Sequence, residues 1–212
     1  MATNVFVFGA SGHAKVVIDI LERMAGVTIA YAVDDAVVAR GRSICNYQII
    51  GGRTELLAGR ARADAGIVAI GDNTVRRDIA AWLLGQNFRL VKAIHPAAVL
   101  ARDVTVGDGT AIMAGCVINS DTALGDNVII NTGATIDHDC VIGDCVHLAP
   151  GCHLCGNVKV GAGSFLGAGT IVIPGIRIGV NAVIGAGATV LEDIADGARV
   201  TGSPARPLRG AA

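Results

Sequence analysis

The sequence predicts a mainly β protein in two parts: a small α/β unit, then a long prism of short parallel strands coiled in triangular turns. Three observations carry that expectation. An aliphatic residue recurs at every sixth position from Leu100 to Val190. Strand and helix patterns alternate before residue 90. The composition changes between the two parts: six of the seven aromatics (Phe6, Phe8, Tyr31, Tyr47, Trp82, Phe88) come first, and 16 of the 29 glycines lie between Leu100 and Val190.

Length and charge set the outer bounds. The 212 residues carry a formal net charge of −1 and are 52% hydrophobic. A disordered chain lacks that apolar content. No run approaches the roughly 18 apolar residues of a membrane span. The near-neutral charge speaks against a nucleic-acid surface, which needs a basic patch. No charged segment leads into an apolar signal core, so the expected compartment is the cytoplasm. There the six cysteines, at 45, 116, 140, 145, 152 and 155, are expected to stay reduced.

The first part reads as a strand at Val5-Phe6-Val7-Phe8, a loop Gly9-Ala10-Ser11-Gly12-His13, and a helix through Val16, Val17, Ile20 and Leu21. A second strand runs from Thr28 to Val33 and ends in Asp34-Asp35. A third, Ile67 to Ile70, ends in Gly71-Asp72-Asn73, and Arg76 to Leu84 reads as a helix. Such a parallel α/β unit binds its ligand where the loops after the strands converge. Only about half of a two-unit Rossmann fold is present, and the glycine loop lacks the full G-x-G-x-x-G fingerprint, so the unit is Rossmann-like rather than a complete dinucleotide domain. A tight turn that needs glycine dihedrals is the plain alternative. The favoured reading is a sugar-nucleotide site. Its candidates are Gly9, Ser11, Gly12, His13, Asp34, Asp35, Gly71 and Asn73.

Ile94-His95-Pro96 marks the boundary, because proline interrupts regular structure. The expected division is 1–93, 94–195 and a tail, 196–212. From residue 100 all sixteen positions spaced by six are aliphatic, and Asp196 breaks the series. A mostly small residue, such as Cys116, Ala134, Cys140, Cys152 or Ser164, stands two places before each aliphatic. Three six-residue units make one coil of 18, with both kinds of residue pointing inward. Successive coils are then separated by the strand spacing of about 4.8 Å. Outward residues sort into three faces: Thr105, Ala123, Val141, Lys159, Arg177; then Ala111, Ile129, His147, Phe165, Val183; then Val99, Val117, Thr135, His153, Ile171, Thr189. The second and third are too apolar for water, which points to packing against other copies in a closed threefold assembly.

The densest polar cluster is Asn131-Thr132-Gly133-Ala134-Thr135-Ile136-Asp137-His138-Asp139-Cys140. With Ile136 and Cys140 inward, His138 occupies a corner and has no packing role; a solvated corner is the competing reading. Gly156 lies one coil further on and should stack beside it. His138 is therefore the candidate base, a neighbouring carboxylate (Asp139 or Asp137) its orienting partner, and the Gly156 N–H the candidate oxyanion donor.

The coil resembles the left-handed parallel β-helix of the hexapeptide-repeat acyltransferases; handedness is implied by that resemblance alone. Gly-Ala-x-Gly-His, Asp-Asp and Ile-Gly-x-Asn resemble the N-terminal domain of bacterial sugar-nucleotide acetyltransferases. The stretch 131–169, with Ile94-His95-Pro96 and Gly202-Ser203-Pro204-Ala205, resembles the sialic-acid O-acetyltransferase-like family. That family includes GDP-perosamine N-acetyltransferases and the UDP-4-amino-sugar N-acetyltransferases of bacillosamine synthesis. The resemblance implies a homotrimer that uses acetyl-CoA as cosubstrate in cell-surface polysaccharide synthesis. The acceptor it implies is the 4-amino group of a nucleotide-linked 4-amino-4,6-dideoxy sugar; direct transfer is expected because no exposed nucleophile is clearly placed. It makes His138 the base, Asp139 its partner and Gly156 the glycine facing the acetyl carbonyl, with Asn131 a substrate contact. His147, Gly156, Gly167, Ala168, Gly185, Pro204 and Arg206 fall on its acetyl-CoA side. Alternatives are a sugar O-acetyltransferase of the same fold and a non-catalytic β-helix scaffold.

Cys140, Cys145, His147, Cys152, His153 and Cys155 resemble a metal cluster only in a linear reading; the register scatters them, and no metal is expected. Cys155 flanks Gly156 and is the competing nucleophile. Arg199, Arg206 and Arg209 restore positive charge after the coil, either as a solvated tail or near the phosphates of coenzyme A.

Overall fold

The computed structural model describes residues 2–36, 39 and 41–208. The chain divides into two compact units, Met1–Pro96 and Ala97–Ala212.

In the first unit β1 (Thr3–Phe8) leads through α1 (Gly12–Arg23) to β2 (Val27–Val33). A hairpin of β3 (Ser43–Ile44) and β4 (Tyr47–Gln48) follows, then α2 (Arg53–Ala58), β5 (Ala65–Val68), α3 (Asn73–Gly85) and β6 (Arg89–Leu90). The sheet order is β2-β1-β5-β6, all parallel. The strands are apolar because both faces are covered. The aromatics fill this core: Phe6 stacks on Tyr31 with centroids 6.4 Å apart and meets Phe88 edge-on at 5.3 Å. Helix α1 buries Ala14, Val17, Ile18, Ile20 and Leu21, whereas Val16, part of the expected apolar periodicity, faces outward. Helix α3 starts three residues before the expected Arg76, because the Asp72 carboxylate accepts from the Val75 N–H at 2.9 Å and caps it. The β3–β4 hairpin, α2 and β6 are too short to show a period in the sequence.

The second unit is the prism. Its two-residue strands form three parallel sheets, one per face, in the expected register. Val106, Leu124, Ile142, Val160 and Ile178 pair in a column. Cys116, Ala134, Cys140, Cys152, Ser164, Thr170, Ala182 and Ala188 are fully buried two places before the aliphatics. The thin core admits a hydroxyl only where a carbonyl receives it. Thr122 Oγ1 donates to the Asp137 carbonyl at 2.9 Å and Ser164 Oγ to that of Gly179 at 2.6 Å.

Corners repeat as strictly as the core. Three residues past the inward aliphatic the backbone is left-handed, with φ of 60, 62, 54, 59, 61 and 54° at Asp103, Asp121, Asn127, Asp139, Asn157 and Asn181. Asp and Asn tolerate that region better than other side chains. The glycine directly after an aliphatic has a different cause: a Cβ on Gly143 would lie 2.7 Å from the Ala162 nitrogen of the next coil.

Two expectations about the prism need correction. The chain after Asp196 does not leave the coil. Ile194 bridges to Ile178 and Arg199 pairs with Val183, a step of 16 residues instead of 18. Two residues are missing from the last coil, which shifted the register and made Asp196 look like a break. The tail then folds back, with Arg206–Pro207 antiparallel to Val200–Thr201. The second correction concerns the apolar faces. Ala111, Ile129 and His147 on the second face are already buried within the single chain at 3%, 1% and 9% exposure. The third face keeps the open apolar stripe, with Val99 59% and Ile171 43% exposed.

Candidate active site

His138 stands at the corner between the strands Thr135–Ile136 and Val141–Ile142, that is, between the third and first faces. Its backbone N–H, its carbonyl and one ring nitrogen each have a partner. Its N–H donates to Asp137 Oδ1 at 3.0 Å, and its carbonyl accepts from the Asn157 N–H at 2.9 Å. Its Nδ1–H donates to Asp139 Oδ2 at 2.7 Å. That bond leaves Nε2 with the lone pair of the neutral ring. The ring rests on Gly156, where a Cβ would lie 2.6 Å from Cε1 and 2.7 Å from Nε2. Only glycine fits beneath the imidazole. The Gly156 N–H donates to no atom of the described residues.

Both polar side chains stay reachable: His138 is 54% and Asp139 53% exposed. The Asp139 hydrogen bond raises the His138 pKa above the ordinary histidine value; partial burial opposes it, and the charges of Asp137, Asp139 and Asp121 add to the rise. Asp137 is held below the usual carboxylate range by the Asn119 amide and then by the His138 N–H.

Asn131 and His147 are together but at a different corner, between the second and third faces. Asn131 Nδ2 lies 3.3 Å from His147 Nε2, and Asn131 Oδ1 accepts from the Thr132 N–H at 2.8 Å. The His147 ring meets Phe165 edge-on at 5.2 Å. Gly167, Ala168 and Gly185 stack on this second corner, after Leu166 and Ile184. The His138 and Asn131 corners thus flank opposite edges of the third face of one chain. Pro204 is exposed in the turn between the two tail strands, and Arg206 pairs with Glu192 at 3.4 Å. Arg209 lies outside the described residues.

In the first unit Gly9, Ser11, Gly12, His13 and Asp34 gather at the end of β1. Gly9 has φ 121°, and a Cβ there would lie 2.7 Å from the Ala69 carbonyl oxygen. Nothing crowds the Cα of Gly12, which opens α1. Asp34 works as a clamp: its two oxygens accept from the N–H groups of Ala10 and Ala36, each at 2.8 Å. Asp35 is paired instead with Arg53 at 3.1 Å. The clamp borders a cleft of about 500 Å³ lined by Ser11, Lys15, Arg42 and Ser43. Gly71 and Asn73 hold the buried Arg76, which donates to the Gly71 carbonyl at 3.1 Å and to Asn73 Oδ1 at 2.9 Å.

The sequence reading missed Lys15, Arg42 and Arg76. The spacing Asn73-x-x-Arg76, three apart on one helix, was the available signal for the last. Lys159 and Arg177, which the spacing placed outward on the first face without a role, line a groove of about 630 Å³ there.

Cys140 and Cys152 point into the core, fully buried. None of the six cysteines is in a disulfide. Burial pushes the Cys140 and Cys152 thiols up to about 11. Among the described residues no group of three or more His, Cys, Asp or Glu side chains is arranged to hold a metal ion. Among them, too, no helix is long and apolar enough to cross a membrane.

The fold has counterparts in known proteins. Residues 4–83 match the PglD N-terminal domain, and residues 103–138 and 139–174 match the bacterial transferase hexapeptide (six repeats). A solved structure of a histidine-to-asparagine mutant of perosamine N-acetyltransferase from Caulobacter crescentus, in complex with CoA and GDP-perosamine, is 40% identical. It superposes with a TM-score of 0.93 over 98% of each chain. The chain belongs to the hexapeptide-repeat N-acetyltransferases of nucleotide-linked amino sugars. The acetyltransferase domain of PglB from Neisseria gonorrhoeae FA1090, in complex with acetyl coenzyme A, is 34% identical with a TM-score of 0.89, covering 98% of this chain and 100% of that one. The UDP-N-acetylbacillosamine N-acetyltransferase of Bacillus subtilis (strain 168) is 35% identical over 122 residues, 52% of this chain. The chain spans about half of that curated relative, 51% of its length.

Proposed function

We propose that this protein transfers the acetyl group of acetyl-CoA to the 4-amino group of a nucleotide-linked 4-amino-4,6-dideoxy sugar. The observation that carries the reading is the similarity over 98% of the chain to perosamine N-acetyltransferase bound to CoA and GDP-perosamine. The His138 corner supplies suitable chemistry. Nε2 accepts the proton of the attacking amine while Asp139 holds Nδ1–H and stabilises the imidazolium. The amine adds to the thioester carbonyl, and the Gly156 N–H donates to the resulting oxyanion. Collapse expels the CoA thiolate, and the imidazolium proton is available to it. Transfer is direct, with Cys155 as a bystander.

The nucleotide portion binds in the first unit. Uncrowded backbone at Gly12 admits phosphate, Gly9 lets the loop pack against the Ala69 carbonyl, and Lys15 and Arg42 supply countercharge. In this reading Asp34 shapes the loop rather than touching the ligand.

The active assembly is a homotrimer. The two candidate corners lie on opposite edges of one apolar face. Covering that face against a second copy would bring the His138 corner of one protomer beside the Asn131–His147 corner of the next, with acetyl-CoA between them. The setting is the cytoplasm, where acetyl-CoA is available and unpaired cysteines persist, in a pathway that builds cell-surface polysaccharide precursors.

Replacing His138 by Ala tests the catalytic assignment. Turnover should fall by about 10²-fold or more; unchanged turnover would sink the base role.

A further inference from the structure

The polar contacts of the His138 corner do not end with the coil that carries it. Val117 and Ile118 pair with Thr135 and Ile136, so Asn119 lies directly below Asp137. Asn119 Nδ2 donates to Asp137 Oδ1 at 2.9 Å. The same oxygen accepts the His138 N–H at 3.0 Å. One carboxylate oxygen thus ties the peptide that carries the imidazole to the coil below. From inside the prism, Thr122 Oγ1 donates to the Asp137 carbonyl at 2.9 Å, and the Cys140 N–H donates to Thr122 Oγ1 at 3.3 Å.

We propose that Asn119 is a positioning residue for acetyl transfer: its amide anchors the Asp137 carboxylate, which in turn fixes the His138 corner over Gly156. This rests on the reading of His138 as the base.

The chemistry of the pair explains why an amide serves here. Asn119 presents an uncharged donor, so it keeps Asp137 ionised without cancelling its charge. A carboxylate at 119 would set two negative charges against each other. A lysine or arginine would neutralise Asp137 and lower the negative potential at the imidazole. The charged groups around the ring are Asp139 on its own corner, Asp137 beside it and Asp121 on the coil below. Each favours the imidazolium that proton abstraction creates.

The test uses three variants of the full chain in steady-state acetyl transfer across pH, with His138→Ala as reference. Asn119 is exposed, so its replacement should leave thermal stability nearly unchanged. Asn119→Ala should lower kcat by about 10-fold with KM for both substrates little changed, because a loosened base loses alignment rather than binding. Its acid limb should stay in place, since Asp137 remains ionised at neutral pH. Asn119→Asp should move the acid limb of kcat upward by roughly half a pH unit. Asp137→Asn, nearly isosteric, should move it downward by a similar amount. Wild-type kcat in Asn119→Ala, or limbs that ignore both charge changes, would overturn the proposal. If His138→Ala is inactive while the Asn119 and Asp137 variants behave as wild type, only the positioning role fails. If His138→Ala is fully active, the base assignment itself has failed.

Discussion

At His138 the backbone and the ring are constrained by different neighbours, and these carry separable consequences. Asp139 reaches Nδ1 because the corner is left-handed at residue 139, with φ 59°. That conformation turns the carboxylate back toward the preceding side chain. A base works only when neutral, so raising its pKa moves the acid limb of kcat/KM to higher pH. The limb should therefore lie above the ordinary histidine value. In Asp139→Asn the hydrogen-bonded charge is lost, the pKa falls, and the limb should move down by roughly one pH unit while kcat drops. A pH–rate series on the two proteins measures it, and a limb that moves upward would contradict the assignment. Cys155 makes a second prediction at this scale. Incubation with radiolabelled acetyl-CoA without acceptor should leave no labelled enzyme, whereas a label lost in Cys155→Ala would establish a two-step mechanism.

The coil is the element that turns sequence spacing into a site. The period of six was legible because inward positions tolerate so little: aliphatic at one, small at the other. The stacking of Gly156 beside His138 followed from the period of 18 residues alone. The contact itself, a ring where a Cβ would lie at 2.6 Å, did not. Gly156→Ala should therefore leave folding intact, because the clash falls on a half-exposed side chain, yet displace the imidazole and cut turnover by about 10-fold or more. Melting temperature and kcat on one preparation separate the two effects. A variant with wild-type turnover would show that the ring need not rest there. Other features stayed hidden for physical reasons. Two missing residues in the last coil imitate its end. Arg76 is a charged residue in sequence and a buried loop anchor in the fold, held by the Gly71 carbonyl and Asn73 Oδ1. The same contacts engage one oxygen each of Gly71 and Asn73, which the strand–loop pattern marked as ligand contacts. Asp34 and Asp35 looked equivalent, yet one clamps backbone and the other meets Arg53.

On the scale of the molecule, the proposed shared site makes catalysis depend on what covers the third face. Val99 and Ile171 keep 59% and 43% of their surface open on it. A charged side chain in that stripe would be stranded if the face is buried between copies. Ile171→Glu should convert a trimer, of three times the 21.4 kDa chain mass, into smaller species. It should also abolish transfer without altering His138. Native mass spectrometry with an activity assay tests this, and a fully active monomer would refute the shared-site reading. The central claim is tested most directly by supplying acetyl-CoA with a panel of nucleotide-linked 4-amino sugars and their hydroxyl counterparts. Thiol release and product mass are then followed together. Transfer of one acetyl group to the amine of a GDP- or UDP-linked 4-amino-4,6-dideoxy sugar, lost in His138→Ala, is the expected result. Transfer only to hydroxyl acceptors, or no thiol release with any amino sugar, would contradict it.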